Sequence, residues 1–509
     1  MKKLRVVILK PSKYGTDGSV QRFRRGFMPN TTVPYIRSMT PQMIDDVVVE
    51  TQTIDEYVQT DLRYLDLLRS DEPTLLALVG VQSHQFHRAL DLGAYALKHK
   101  VRHVVIGGPH PMTCDTSMLH NRGVSFALAE AEMIWPAILR DAIRGQLQPV
   151  YGKGQRWQKE LSPLIMQPPS SQDMKRYVVP LLGIYPARGC PYTCNFCSVI
   201  KIAGRQVRSV DVDTIMATLW AAKKAGIQFV LFTSDNFNKY ADAPALLNQM
   251  IREKIDLPFM CQCDTQVSKQ EDFIELLGRA GCFQMFVGVE SLNRQTLLKA
   301  HKTQNHPQRY ADIVRLVHKY GFNGHFSNII GFPDDTEQSC HEHMAIIKEL
   351  SPGAVSCYIL CPLPGTEQYD DFRAEDLVYE KNLDRFDATC PTWSHPNLSP
   401  EQLTNLMFEF YRTFYSDERL IRSFTTRNRR MSWQSDLIAR IFPVFNRYSV
   451  WRGLHPMAGG FWDIKRDHVS EYLDVRRQYY GYEHVPLPAS LRLSEIDEKM
   501  NGNVKLVLA

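Results

Sequence analysis

The sequence predicts an α/β protein built from two successive parallel-sheet units and a mostly helical C-terminal region. Three observations carry this. Short β-rich runs alternate with helical patterns over residues 1–146 and again over 179–370, and such alternation argues for parallel sheets covered by helices. The stretch between them, 147–178, is rich in Pro, Gly and polar residues and reads as a linker. Over 371–509 the alternation stops, and helical periodicity takes over. In 401–415, for example, Leu403, Met407, Phe410, Tyr411 and Phe414 fall near one face.

In the first unit, strands are expected at 4–9, 46–50, 74–81, 101–106 and 124–127, with helices at 87–99 and 131–145. This is a Rossmann-like arrangement, in which a ligand sits beyond the carboxyl ends of the strands at a topological switch point. The third strand ends in Gln82-Ser83-His84 and the fourth in Gly107-Gly108-Pro109-His110. Paired glycines there let a backbone approach a bulky ligand. His84, His87 and His110 lie nearby, although a lone histidine is more often a hydrogen-bonded structural residue.

In the second unit, strands are expected at 181–186, 229–233, 258–263, 283–289, 324–330 and 354–360, with helices such as 212–225 and 270–280 between them. Six βα repeats fit a partial (β/α)6 barrel, whose chemistry gathers at the C-terminal strand ends.

Composition narrows the partners. The chain has 509 residues, 44% of them apolar, and a net charge of +5 from 60 basic and 55 acidic side chains. That charge is too mild to argue for nucleic acid. Eleven cysteines in a chain of this length are not a disulfide scaffold and suit a reducing cytoplasm. The apolar run after Met1-Lys2-Lys3-Leu4-Arg5 is too short for a secretory leader. No window approaches the roughly 20 apolar residues that span a bilayer.

The first barrel strand runs into Gly189-Cys190-Pro191-Tyr192-Thr193-Cys194-Asn195-Phe196-Cys197. Three thiolates in one tight loop can hold three corners of a cubane iron–sulfur cluster. Protein-held clusters ordinarily take four cysteines, so one iron is left for an exogenous ligand. The competing reading is a structural zinc site or reduced thiols. Zinc wants a fourth ligand close by, and no His or Cys follows within several dozen residues.

This spacing, with an aromatic before the last cysteine, resembles the radical S-adenosylmethionine (SAM) superfamily. The resemblance implies a [4Fe–4S] cluster on Cys190, Cys194 and Cys197, whose open iron is chelated by the amino and carboxylate groups of SAM. It also implies roles at later strand ends. Asp235 and Asn236 would face the amino group of SAM, Glu290 its ribose hydroxyls and Ser291 its carboxylate. The segment Asn328-Ile329-Ile330-Gly331-Phe332-Pro333 would cradle adenine, with Asn328 and Ile330 as contacts. The strand-six end, Cys361-Pro362-Leu363-Pro364-Gly365-Thr366, is also like the family's. Arg205 and Arg208 resemble basic residues after the cluster loop, or a solvated charge pair.

The first unit is similar to the cobalamin (B12)-binding domain that precedes the barrel in one large subclass. There Ser83, Gly107 and Gly108 match the serine and double glycine that contact the nucleotide tail. The family's Asp-x-His-x-x-Gly loop, which supplies a histidine to cobalt, is absent. Here the loop reads Lys10-Pro11-Ser12-Lys13-Tyr14-Gly15.

The resemblance implies reductive cleavage of SAM to a 5′-deoxyadenosyl radical and, with cobalamin, C-methylation of an unactivated carbon. A second reading keeps the radical but yields a rearranged, cyclised or C–C-coupled product. A third is an iron–sulfur electron carrier. The expected partners are a small-molecule substrate and a reductase or flavodoxin- or ferredoxin-type electron donor. Cys261, Cys263, Cys357 and Cys361 read as small buried hydrophobes.

The tail adds a further feature. Arg419, Arg422, Arg427, Arg429, Arg430, Arg440, Arg447 and Arg452 are interleaved with aromatics, and Asp436 is the sole acid between them. Such a stretch suits a lipid-like or anionic substrate or peripheral contact with the inner face of a membrane. It equally suits an Arg-rich helix packed on the barrel. The segment 455–462 reads as a loop capping the barrel mouth.

Overall fold

The computed structural model describes residues 2–487, apart from 70, 71, 155, 429 and 465–469. Arg429 and the end of the C-terminal region, 488–509, therefore lie outside the described residues. The first unit forms β1 (Lys2–Lys10), β2 (Phe23–Gly26), β3 (Met43–Ile44), β4 (Val47–Asp55), β5 (Thr74–Leu78), β6 (His103–Gly107), β7 (Val124–Ala127) and β8 (Val150–Tyr151). Seven of these make one sheet in the order β3-β4-β1-β5-β6-β7-β8, parallel except for the edge strand β3. Chain order reverses between β1 and β5, which makes their carboxyl ends the switch point. Val6 to Leu9 and Leu75 to Leu78 are buried without alternation, as parallel strands covered on both faces require.

The expected linker contributes to this sheet. Phe126 N donates to Pro149 O and Leu128 N to Tyr151 O, both at 2.9 Å, so β8 extends the first domain past residue 146. Two residues are too few for a period to show in the sequence. Further along the same stretch, Trp157 and Met166 are buried.

The second unit contains β9 (Leu181–Ile184), β10 (Ala187–Arg188), β11 (Arg208–Ser209), β12 (Phe229–Phe232), β13 (Phe259–Cys263), β14 (Cys282–Glu290), β15 (Asn323–Ile330) and β16 (Ala354–Ile359). Strands β9, β12, β13, β14, β15 and β16 pair in that order, all parallel. The sheet curls without β9 meeting β16, giving a partial barrel. Strands β10 and β11 pair antiparallel as the two stems of the cysteine loop.

The C-terminal region packs against both units. Tyr411 and Tyr415, on and just past the helix Pro400–Phe414, accept from Cys357 N and Val355 N at 3.1 and 2.9 Å, covering β16. The helix Trp433–Trp451 lays Phe442 against His325 and stacks Phe445 on Phe27, with ring centroids 5.3 and 4.4 Å apart. The loop after it continues into β17 (Gly460–Asp463), which pairs antiparallel with β2. The helix Ser470–Tyr480 returns to the first domain, where Arg476 and Asp91 form a buried pair with bonds of 2.7 and 2.8 Å. Among the described residues, no helix is long and apolar enough to cross a membrane.

Candidate active site

The cysteine loop leaves β9 through β10 and returns through β11. Gly189 opens it with φ 109°, where an added side chain would meet Gln206 O at 2.1 Å, so only glycine fits. Asp235, just past β12, accepts from Gly189 N at 2.8 Å. Asn195 N donates to Ala300 O and Gln368 N to Asn195 O, at 3.2 and 2.9 Å. Tyr192 OH reaches Asp264 Oδ2 at 3.1 Å. The loop is therefore held from several sides before any cofactor binds.

The thiols of Cys190, Cys194 and Cys197 are partly exposed and unpaired. Burial pushes the Cys190 thiol up and that of Cys197 up to about 12, so iron must displace protons to bind here. Two side-chain amides already point at the sulfurs. Asn236 Nδ2 lies 3.1 Å from Cys190 Sγ, and Gln304 Nε2 lies 3.7 Å from Cys194 Sγ. Among the described residues, no three His, Cys, Asp or Glu side chains gather on one metal ion. A zinc site would bring its sulfurs to about 3.8 Å from one another, given a Zn–S bond of ~2.3 Å. Separate corners of a cubane need no such convergence.

The strand-four end is equally built. Glu290 sits at an irregularity in the β14–β15 register with a left-handed backbone, φ 60°. Asn305 Nδ2 bonds Gly288 O and Val289 O at 2.9 and 2.8 Å, and Tyr310 OH donates to Val289 O at 2.9 Å, offsetting the cost of that conformation. The Glu290 carboxylate accepts from Lys302 Nζ at 2.9 Å and Ser327 Oγ at 3.2 Å. Burial works against the Lys302 charge, yet Glu290 and the thiols of Cys194 and Cys197 hold its pKa above the ordinary value. Ser291 is buried, and its hydroxyl accepts from Asn293 N at 3.1 Å.

Asn328 and Ile330 stand differently. The Asn328 amide donates to Phe326 O and Ser356 O at 3.0 and 3.1 Å, and its oxygen meets His343 Nε2 at 2.9 Å. Ile330 lies in the apolar core of the barrel. Ile330 O in turn accepts from Leu360 N at 2.9 Å, and both residues lie within the strand pairing of β15 with β16.

Between the first sheet and the barrel lies a cavity of about 280 Å³. One end is an apolar slot over the first sheet, lined by Ala77, Val79, Gly107, Ala127 and Trp135, and the other reaches Arg188 and Asp235 beside the cysteine loop. Gly107 faces the slot, where an added Cβ would lie 3.1 Å from Ala127 Cβ. Gly108 lines it too, but its glycine is demanded by the chain itself, because a side chain would meet Val81 N at 2.2 Å. Ser83 does not line the slot, and its hydroxyl is paired with His110 Nδ1 at 3.0 Å. His87 is bound to Asp384 and Val485 N, each at 3.0 Å. His84 instead lines a second cavity, about 390 Å³, with Lys10, Tyr358 and Met457. Burial lowers its pKa to about 4, so it is neutral there.

Sequence reasoning missed Lys302 and Gln304, which belong to no contiguous motif. It also missed Glu130, which binds Arg208 through two bonds of 2.8 Å and lies 3.4 Å from Arg188. These arginines are the stems of the cysteine loop, so Glu130 locks that loop to the first domain. Of the two readings open for Arg205 and Arg208, the solvated charge pair does not hold for Arg208, which is buried. Cys261, Cys263, Cys357 and Cys361 are buried as expected.

Comparison with known proteins agrees with this geometry. A family model described as the radical SAM superfamily matches residues 184–347. Bacteriochlorophyllide d C-12(1)-methyltransferase of Chlorobaculum tepidum is 27% identical over 63% of this chain and 70% of its own. Hopanoid C-2 methylase of Rhodopseudomonas palustris is 26% identical over 55% of this chain and 54% of its own. Among solved structures, the radical SAM methyltransferase TsrM from Kitasatospora setae, with cobalamin and a [4Fe–4S] cluster bound, shares the fold. Its TM-score is 0.59 at 14% identity, covering 82% of each chain. With three thiols placed for a cluster, a carboxylate and amides arrayed around them and the family model matching residues 184–347, this chain carries a radical SAM domain, whose chemistry uses a [4Fe–4S] cluster and SAM.

Proposed function

We propose that this enzyme is a cobalamin-dependent C-methyltransferase acting on an unactivated carbon of a small lipid-like or anionic substrate. The observation that carries the reading is the apolar slot of the first domain, which continues to Asp235 at the cysteine loop. Small residues, Ala77, Gly107, Ala127 and Ala129, keep the space over the sheet open, and Trp135 and Ile138 wall it. An apolar slot walled by small residues offers dispersion contacts along its whole lining to a flat apolar group, such as the dimethylbenzimidazole ring of cobalamin's nucleotide tail. The printed activities of the two methylating relatives and the cobalamin in TsrM support the same reading.

When bound, the cluster and SAM supply a hydrogen-abstracting radical, and cobalamin supplies a transferable methyl group. The chain's own residues bind, orient and exclude water. Cys190, Cys194 and Cys197 hold the cluster, with Asn236 and Gln304 directed at two of the sulfurs. Asn236 keeps its oxygen for the ammonium of SAM, and Asp235 adds a half-buried carboxylate beside it. Glu290, oriented by Lys302 and Ser327, presents its oxygens to ribose hydroxyls. An external flavodoxin- or ferredoxin-type donor provides the electron.

The test is the absorption spectrum of anaerobically reconstituted protein, desalted after incubation with hydroxocobalamin. Stoichiometric corrinoid bands above the cluster absorbance are expected. Cluster absorbance without corrinoid would overturn methyl transfer and leave a rearranging, cyclising or coupling radical enzyme. Formation of 5′-deoxyadenosine on reduction separates all of these from an electron carrier.

A further inference from the structure

The helix Trp433–Trp451 is apolar on two sides. Its inner side buries Ile438, Phe442 and Phe445 against the barrel. Its outer side carries Trp433, Leu437, Ile441, Val444, Tyr448 and Trp451 at offsets of 0, 4, 8, 11, 15 and 18. At about 100° per residue these positions fall within one stripe roughly 80° wide, and at ~1.5 Å per residue the stripe is about 27 Å long. A helix side facing only water carries polar residues at such positions. Here Trp433 is 63% exposed, Leu437 46% and Trp451 80%. The preceding helix, Asp417–Thr425, adds Ile421 and Phe424, each 64% exposed.

The surrounding charge is mainly positive, with the exposed Asp417 and Glu418 at the start of the preceding helix set against Arg447 and Arg422 at 3.2 and 4.0 Å. Residues 419–452 contain eight arginines and a single acid, Asp436, which is buried and paired with Arg440 at 2.8 Å. Arg422 is 71% exposed, and Arg427 is exposed as well. Not every arginine is available. Arg419 is spent on Pro352 O, Gly353 O and the Phe414 ring, and Arg452 on Asp463. Met457, six residues past Trp451, is 57% exposed and also lines the cavity with His84 and Tyr358.

We propose that this surface docks on an anionic lipid bilayer, with helix Trp433–Trp451 lying in the interfacial plane. Tryptophans at both ends of the stripe and arginines beside it are what the headgroup boundary selects. A protein partner of matching shape would satisfy the apolar stripe but gives no reason for the surplus of arginine. The docking does not depend on which cofactors the enzyme uses.

The experiment is co-sedimentation of the full-length, cluster-loaded enzyme with sucrose-filled vesicles of phosphatidylcholine alone or mixed with phosphatidylglycerol. The wild type is expected to pellet with the anionic vesicles about tenfold more than with the neutral ones, and less as salt rises. Trp433→Ser/Leu437→Ser/Trp451→Ser should lose about tenfold of that binding, with cluster absorbance and unfolding temperature unchanged. Arg422→Glu/Arg427→Glu should lose the preference for anionic lipid. A wild type left in the supernatant, or a triple variant that pellets equally well, would overturn the proposal. Wild-type self-association that the triple variant abolishes, without vesicle binding, would also overturn it and assign the surface to a second copy of the chain.

Discussion

Glu130 is the point at which the first domain sets the position of the cysteine loop, and its removal makes the sharpest test of how the two units are joined. The carboxylate lies at the N-terminus of helix Ala131–Arg144, where the helix dipole favours negative charge. It receives Arg208 twice at 2.8 Å, Gln158 N at 2.8 Å and Arg188 at 3.4 Å. Glu130 and Arg208 are each 5% exposed, so water can replace neither partner. Glu130→Ala leaves Arg208 with the carbonyls of Ala203 and Gln158 only. Arg188 keeps Glu132 at 2.8 Å. Removing one partner of a buried pair costs about 3–5 kcal/mol. At ~2–4 °C per kcal/mol for a unit of 150–250 residues, the first transition in calorimetry should fall by roughly 6–20 °C. The first transition is the quantity to compare, because a chain of several units need not unfold in one step. Glu130→Gln, which keeps the shape and an acceptor, should lose less. Glu130→Met combined with Arg208→Met should recover much of the loss, since a well-packed apolar pair can replace a buried ionic one. A drop below about 2 °C for Glu130→Ala would refute the argument, showing that the arginines find other partners and that the loop is positioned by the barrel alone.

Three further outcomes follow from the site. Lys302→Met should lower the midpoint potential of the cluster in an electron-paramagnetic-resonance redox titration. At an effective dielectric near 20 a unit charge acting over ~6 Å would be worth about 3 kcal/mol, or on the order of 100 mV, and an unmoved potential would remove Lys302 from the electrostatics of the site. Ala127→Leu fills the slot beside Gly107 and should abolish corrinoid retention while cluster absorbance persists; retention at wild-type level would place the nucleotide tail elsewhere. Asp335 accepts from Gly331 N and Phe332 N at 2.8 and 3.0 Å, and burial raises its pKa to about 6. An acid whose folded pKa is raised contributes stability below its unfolded pKa, near 3.8, and loses it as pH rises through 6. Asp335→Asn should therefore be neutral near pH 4 and stabilising by up to about 3 kcal/mol at pH 8, at ~1.4 kcal/mol per pKa unit. Equal stability of the two proteins at pH 8 would refute the burial argument.

What the sequence discloses depends on how far apart the cooperating residues lie. The barrel strands are legible because parallel strands buried on both faces read as short apolar runs, and the cysteine loop because its three ligands fall within eight residues. Edges and stems are not. Strands β8 and β10 have two residues each, too few for a period to show, and β2 pairs with β17 across more than 400 residues. Glu130 and Arg208, 78 residues apart, look like two ordinary charges until the fold brings them together in a buried site. At Ser83 and Gly108 the motif match has a second account within the chain itself. The hydroxyl of Ser83 is used by His110, and Gly108 is required by a backbone contact with Val81. A residue can match a ligand-binding position and still be fully explained by the chain. The helix Trp433–Trp451 shows the same limit from another side. Its sequence supports both packing on the barrel and facing a lipid surface, and no count of arginines decides between them. The structure separates the two because the apolar residues form two interleaved stripes, one covered by the barrel and one exposed at Trp433, Leu437 and Trp451 and half-buried between them. Packing accounts for the first stripe and for the middle of the second, where Tyr448 stacks on Phe461, but not for the exposed Trp433, Leu437 and Trp451, so these need a cause outside the folded chain.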